Sequence, residues 1–132
     1  LDLVSGAATF VRRAFLEDIW PMYEDYFLYC EEIDWATRAK GRYQLAYAPD
    51  SIVYHKKGAS IGSKSIARRR SPESSYYLWR ARLLFTRRYH PVGLPALVLL
   101  VCFSLLNAGL RLDGQTADAL WRAARDGLGT PV

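Results

Sequence analysis

Cysteine is scarce in this chain. The 132 residues hold two, Cys30 and Cys102, far apart and in apolar surroundings. A disulfide framework needs more of them, so both read as reduced thiols of a cytoplasmic protein. Also missing is a starting methionine with a charged region behind it. Leu1-Asp2-Leu3-Val4 is not a signal peptide and reads as the start of an excised segment of a longer chain. No internal repeat and no low-complexity tract occurs, which excludes solenoids and linker-like chains. What is present is a hydrophobic fraction of 51%, enough for a core, so the chain is not of the disordered class. The length suits one small domain or part of a larger one.

The net charge is +5. Much of the excess sits in two blocks, Lys56–Arg70 and Arg80–Arg88. Such blocks favour anionic partners: a nucleotide diphosphate, a lipid headgroup or nucleic acid. A solvated basic face has the same composition, so charge alone does not choose among these. Nucleic acid is disfavoured, because charge and aromatics come without a recognisable binding motif.

Periodicity places the elements. Ser5–Val11 reads as a loop entering a short strand, with Gly6 allowing close approach of another group to the backbone. Arg12–Ile19 reads as one or two helical turns, with Phe15 and Ile19 spaced i, i+4 and Pro21 limiting extension. Glu31–Lys40 predicts a helix with Gly41 as its C-terminal cap and Asp34 and Arg38 as an i, i+4 pair. Tyr43, Leu45 and Tyr47 alternate with Gln44, Ala46 and Ala48, which is strand periodicity. Pro49-Asp50 breaks that strand, and Ile52–His55 begins another extended segment. Lys57–Arg70 reads as a loop. Ser71-Pro72 is a helix start, and Ser74–Tyr89 places Tyr77, Leu78, Ala81, Leu84 and Phe85 on one face, with Arg80, Arg82 and Arg87 mostly opposite. Residues 91–110 carry no charge and reach the length of a membrane span. Pro91, Gly93, Pro95, Asn107 and Gly109 weaken a full span and leave membrane-surface contact or a core helix as alternatives. Ala117–Leu128 reads as an amphipathic helix with Leu120, Trp121, Ala124 and Leu128 on one stripe.

Glu31, Glu32 and Asp34 are the residues that chemistry would use. They fall in the first turn of a helix, where the dipole favours negative charge and keeps a carboxylate ionised, as a general base requires. Crowding works the other way and raises the pKa of at least one of the three. Ordinary acidic preference at a helix start explains the same spacing.

The surroundings of these acids carry more information. SGAATFVRRAF, EDYFLYCEEIDWATRAKG and YQLAYAPDSIVYHKKGAS follow one another in order, and SSYYLWRARLLFTRRYHP comes after them. Together they resemble the acceptor-side half of family-2 glycosyltransferases, inverting enzymes of the GT-A fold. Such chains often read FLYFEDVDLCLR and then GYRLVYVPEAVVYH at this point. The last segment resembles a helix of rhamnosyltransferase-like members. The resemblance implies an α/β fold: a partial GT-A domain with a mixed sheet edge and helices over residues 1–63, then a basic loop and a helical C-terminal tail over 64–132.

By the same resemblance, Glu32 stands where the family has its catalytic aspartate, Glu31 matches the preceding acid and Asp34 the acid two residues on. His55 matches a histidine that completes a metal site in several members, which implies a divalent metal, Mn or Mg. Apart from the resemblance, Arg68, Arg69 and Arg70, with Lys64, are candidates to close over a diphosphate as a lid, with a solvated basic loop as the alternative reading. The implied reaction is inverting transfer from a nucleotide-diphosphate sugar to a glycan or lipid-linked acceptor in cell-surface polysaccharide synthesis, at the inner face of the membrane. The family's Asp-x-Asp pair does not occur in the sequence. The 132 residues alone are therefore expected to be inactive. Tyr23, Tyr26, Phe27, Tyr29 and Trp35 are candidates for stacking on sugar or for the core. The competing reading is a non-catalytic membrane-surface or protein-interaction module, resting on residues 91–110 and the basic blocks. Either reading leaves room for a homo-oligomer.

Overall fold

A computed structural model describes residues 6–55 and 70–131. Most of the loop expected over 57–70, with Lys64, Arg68 and Arg69, lies outside the described residues, as does Ser5. The chain divides into two units, Leu1–Lys56 and Lys57–Val132.

The first unit holds two short helices, α1 (Arg13–Ile19) and α2 (Glu31–Ala39). Each has an apolar i, i+4 pair, Phe15 with Ile19 and Trp35 with Ala39, and these four side chains form a core completed by Val11, Met22 and Tyr43. The Phe15 ring meets Trp35 and Tyr43 edge-on at 5.0 and 4.9 Å, the arrangement that the ring quadrupoles favour. Gly41 follows α2 with φ +82°, the left-handed conformation that a helix end uses and glycine adopts without strain.

The expected α/β fold is corrected here. Among the described residues 62% are helical and none is in a strand. Residues 43–48 and 52–55 have the right alternation but no neighbour to pair with. Tyr43 and Leu45 are partly covered, Tyr43 by the core, but Tyr47 and Ile52 are each 76% exposed and Tyr54 is 93% exposed. Phe10, in the first expected strand, is likewise exposed. A helix satisfies its backbone within its own segment, whereas a strand needs another strand to receive its N–H and C=O groups.

The second unit is α3 (Pro72–Tyr89), a 3-10 turn (Pro91–Gly93), α4 (Leu94–Leu110) and α5 (Gly114–Gly129). Ser71 caps α3 as the sequence implies, its Oγ accepting from the Ser74 amide at 3.1 Å, with Pro72 at the first helical position. Asp113 caps α5, its Oδ1 accepting from the Thr116 amide at 3.1 Å. The largest contact is α3 against α5. Ser74, Leu78, Ala81, Leu83 and Leu84 are buried on α3, and Ala119, Leu120, Ala123 and Gly127 on α5. The buried stripe of α5 thus differs from the expected one. Leu120 is buried as expected, but its buried neighbours are Ala119, Ala123 and Gly127, and Trp121 is 63% exposed. Arg87 reaches across to donate to the carbonyls of Gly127 (2.9 Å) and Thr130 (2.8 Å), closing the C-terminal end of α5 with a cation where the dipole favours one.

Gly127 is where the two backbones come closest. A methyl group at this position would lie 2.9 Å from Leu83 Cβ and 3.2 Å from the Arg80 carbonyl oxygen. Gly127→Ala is therefore expected to destabilise the protein by about 1–3 kcal/mol, the range for overpacking a tight contact, despite alanine's better helix propensity. Urea denaturation monitored by helical circular dichroism checks this. A variant as stable as the parent, or more so, would show that α3 and α5 do not approach this closely.

Candidate active site

The loop between α1 and α2 is backbone-strained. Phe27, Tyr29 and Cys30 have φ of 59, 68 and 66°, and Cys30 is the N-cap of α2. Left-handed conformations of bulky residues cost on the order of 1 kcal/mol or more each and persist only where surrounding contacts enforce them. One such contact is Tyr26, which is fully buried and donates its hydroxyl to Asp34 Oδ1 at 3.2 Å. The other carboxylate oxygen of Asp34 accepts from Arg38 Nε at 2.8 Å. The Arg38 guanidinium then donates to the carbonyls of Ile19, Trp20 (3.5 Å) and Pro21 (3.0 Å), and lies 4.3 Å from the centre of the Tyr23 ring. Trp35 Nε1 donates to the Trp20 carbonyl at 2.8 Å. The expected Asp34–Arg38 pair is thus present. It is buried, and through Arg38 it ties the end of α1 to the acidic end of α2.

Asp34 and Arg38 therefore hold the framework, and Glu31 and Glu32 remain at the first turn of α2. Glu31 is half-buried, and its Oε2 is enclosed with no hydrogen-bond partner among the described residues. Burial pushes its carboxyl above the ordinary glutamate range. A backbone hydrogen bond pulls the other way, and the Glu32 charge beside it adds to the rise. The Glu32 carboxylate rests directly on Gly6, where any β-carbon would collide with its Oε1, Cδ and Cγ. This is the close approach for which Gly6 is suited. Two adjacent glutamates thus have different environments, one enclosed and unsatisfied, the other seated on a glycine.

The remaining expected site residues lie elsewhere. His55 is exposed at the end of the unpaired extended segment. Among the described residues no three His, Cys, Asp or Glu side chains converge as a metal site, so His55 and the acids of α2 do not form one. Arg70 is exposed and belongs to the second unit, and Arg68 lies outside the described residues. Of the aromatics, Tyr26 and Trp35 are core, whereas Phe27 is 71% and Tyr23 41% exposed. Cys30 is half-buried and Cys102 exposed, with no disulfide between them.

One feature of the second unit had no counterpart in the sequence reading. It is an open groove of about 520 Å³ between α3, the last turns of α4 and the start of α5. Its residues are scattered from Arg70 to Leu120 and share no motif, so only the helix packing brings them together.

No family model, curated protein or solved structure matches this chain.

The raised Glu31 carboxyl has a consequence for pH. A group whose folded pKa lies above its unfolded value contributes stability at low pH and loses it as pH rises through the folded pKa. Stability should therefore fall as pH climbs through and above the ordinary carboxylate range, and Glu31→Gln should flatten that part of the profile. Urea midpoints measured between pH 4 and pH 8 (about the span of carboxylate titration) test this. Identical slopes for parent and variant would place the Glu31 carboxyl in water.

Proposed function

We propose that this chain is the acceptor and base side of an inverting glycosyltransferase. The observation that carries the reading is the Glu31–Glu32 pair at the start of α2, held at the end of a strained loop while Asp34 and Arg38 are committed to the framework. The match of Glu32 to the catalytic acid of family-2 enzymes supports the same reading.

The chemistry follows from the positions. Glu32 takes the proton of an acceptor hydroxyl. The oxygen so freed forms a bond to the anomeric carbon of the donor sugar as the bond from that carbon to the diphosphate oxygen breaks, and the diphosphate leaves with the electron pair. Attack from the opposite face inverts the anomeric configuration. Glu31, its pKa raised by burial, limits the negative charge at the pair and keeps the neighbouring base from being surrounded by fixed anions. Phe27 and Tyr23 offer exposed ring faces on the loop beside α2 for an apolar sugar face. The divalent ion that the resemblance implies has no cluster of three His, Cys, Asp or Glu side chains to hold it among the described residues.

Glu32→Gln, made in the protein that carries a donor-binding half, should lower transfer by about 100-fold or more while leaving donor affinity unchanged. Gly6→Ala should lower kcat with little change in stability, because the atoms nearest the added methyl all belong to the flexible Glu32 side chain, which it displaces. Wild-type turnover by Glu32→Gln would sink the assignment and leave the non-catalytic membrane-surface module as the reading.

The same proposal includes a membrane-surface acceptor. Pro91–Leu110 is a 20-residue helical stretch with mean hydropathy 2.1, of which 11% is buried within the chain. Leu99, Phe103, Leu106 and Leu110 are each more than 60% exposed, and apolar residues surround the helix on every side. Leaving such area in water is costly at about 25 cal/mol per Å². By length and composition the helix could cross a bilayer. As packed it would have to carry α5 with it, including Asp118, Arg122 and Arg125, whose side chains are 63, 47 and 66% exposed. Each charge at the bilayer centre costs about 2.5–3.5 kcal/mol, so the helix lies in the interface, with its exposed side in the acyl region. Replacing Leu99, Leu106 and Leu110 together with Gln should abolish sedimentation with lipid vesicles and leave the helical circular dichroism spectrum unchanged. Undiminished vesicle binding by the triple variant would rule out this face.

A further inference from the structure

The groove of the second unit contains two guanidinium groups with which no other described residue pairs. Arg70 and Arg111 both line it, both are exposed, and neither makes an ion pair or side-chain hydrogen bond with another described residue. Several other described arginines are held within the chain: Arg13, Arg38, Arg42, Arg122 and Arg125 each by a carboxylate, Arg87 by two carbonyls, and Arg82 over the Trp79 ring. The single acid in the lining is Asp113, and its carboxylate is engaged in capping α5. The floor between the arginines is amphipathic. Trp79 and Phe103 supply ring surface, and Ser75 and Asn107 supply polar atoms. The Asn107 amide nitrogen already donates to the Phe103 carbonyl at 2.9 Å, which leaves its oxygen as the atom available to a hydroxyl donor.

Position adds a second constraint. Phe103, Ser104, Asn107 and Ala108 lie in the last turns of the apolar helix α4, and Arg111 is the residue after its end. Arg111 therefore stands where an interfacial α4 meets the headgroup layer, and Phe103, 64% exposed, belongs both to the groove and to the apolar side of α4. A volume of about 520 Å³ is within the range of small-molecule sites, larger than a bare phosphate needs.

We propose that this groove binds the phosphorylated headgroup of a membrane amphiphile, with Arg70 and Arg111 on a terminal phosphate and the first apolar carbons passing Trp79 and Phe103 toward the acyl region. This rests on the preceding reading for its biological sense, since such a molecule is the lipid-linked acceptor at its phosphate end. It is recognised here by chemistry alone: a phosphomonoester or diphosphate carrying a hydrocarbon chain. Arginine suits this role because its planar fork pairs two phosphate oxygens at once.

The test uses the 132-residue chain and no sugar transfer, so its outcome is independent of whether Glu32 is a base. Binding is measured to phosphatidylcholine vesicles doped with a polyprenyl monophosphate, and to vesicles brought to equal surface charge with phosphatidylglycerol, whose phosphodiester offers no terminal phosphate. The first should bind about tenfold more tightly or better. The Arg70→Gln, Arg111→Gln double variant should lose that preference while keeping the residual affinity for the phosphatidylglycerol vesicles that α4 provides. Inorganic phosphate and pyrophosphate, added as competitors, should displace the doped vesicles only weakly. Equal affinity for the two vesicle types would overturn the proposal, as would a preference retained by the double variant. Inorganic phosphate binding as tightly as the lipid would also overturn it, by assigning the groove to a soluble anion. Loss of transfer in Glu32→Gln together with equal vesicle affinities would sustain the glycosyltransferase reading and remove the groove from it.

Discussion

The Arg38 guanidinium is the group on which the acidic end of the first unit depends. It makes a buried ion pair with Asp34 and hydrogen bonds with three carbonyls at the end of α1. Those carbonyls end a short helix and need donors, and a buried carboxylate without a partner would be costly. One side chain satisfies both. With α1 fixed against α2, the chain between them has ten residues or so in which to reverse, and it does so with Phe27, Tyr29 and Cys30 in left-handed conformations. The strain sits immediately before Glu31 and Glu32. A framework that holds a loop in an unfavourable geometry also holds the first turn of the following helix, the rigidity that the proposed role of Glu32 as a base requires.

The second unit is organised by a different economy. In its α3–α5 packing, α5 buries Ala119, Ala123 and Gly127 beside Leu120, and α3 buries Leu78, Leu83 and Leu84, so that the two backbones approach at Gly127. Trp121 faces water, and so does most of α4. Three helices of this length enclose little volume, so a fully apolar helix can bury only one strip of itself. The exposed remainder and the groove at its end are two parts of one surface, apolar along the helix and cationic where the helix stops. On the proposed reading, that surface meets hydrocarbon along the helix and charged headgroups at its end.

The helices and their ends were legible in the residues themselves. Ser71 with Pro72, Gly41, the Asp34–Arg38 spacing and the Phe15–Ile19 pair act within one or two turns, and a local interaction can be read from local sequence. Gly6 was legible as a place of close approach, though not that Glu32 is what approaches it. The strands were misread at Tyr43–Ala48 and Ile52–His55 because alternation describes one partner of a ladder, and pairing requires another segment that periodicity does not reveal. The buried stripe of α5 was misread because large apolar residues were taken for the inner face, whereas the distance between backbones decided in favour of Ala119, Ala123 and Gly127. Likewise only the fold separated Asp34 from Glu31 and Glu32: three carboxylates in one turn are equivalent in sequence and become different when one is enclosed by Tyr26 and Arg38. By itself the sequence determined which segments are helical, where they stop and which charges lie together. The tertiary structure decided which of those charges are spent on holding the protein together, because burial and partner choice depend on segments that are distant along the chain.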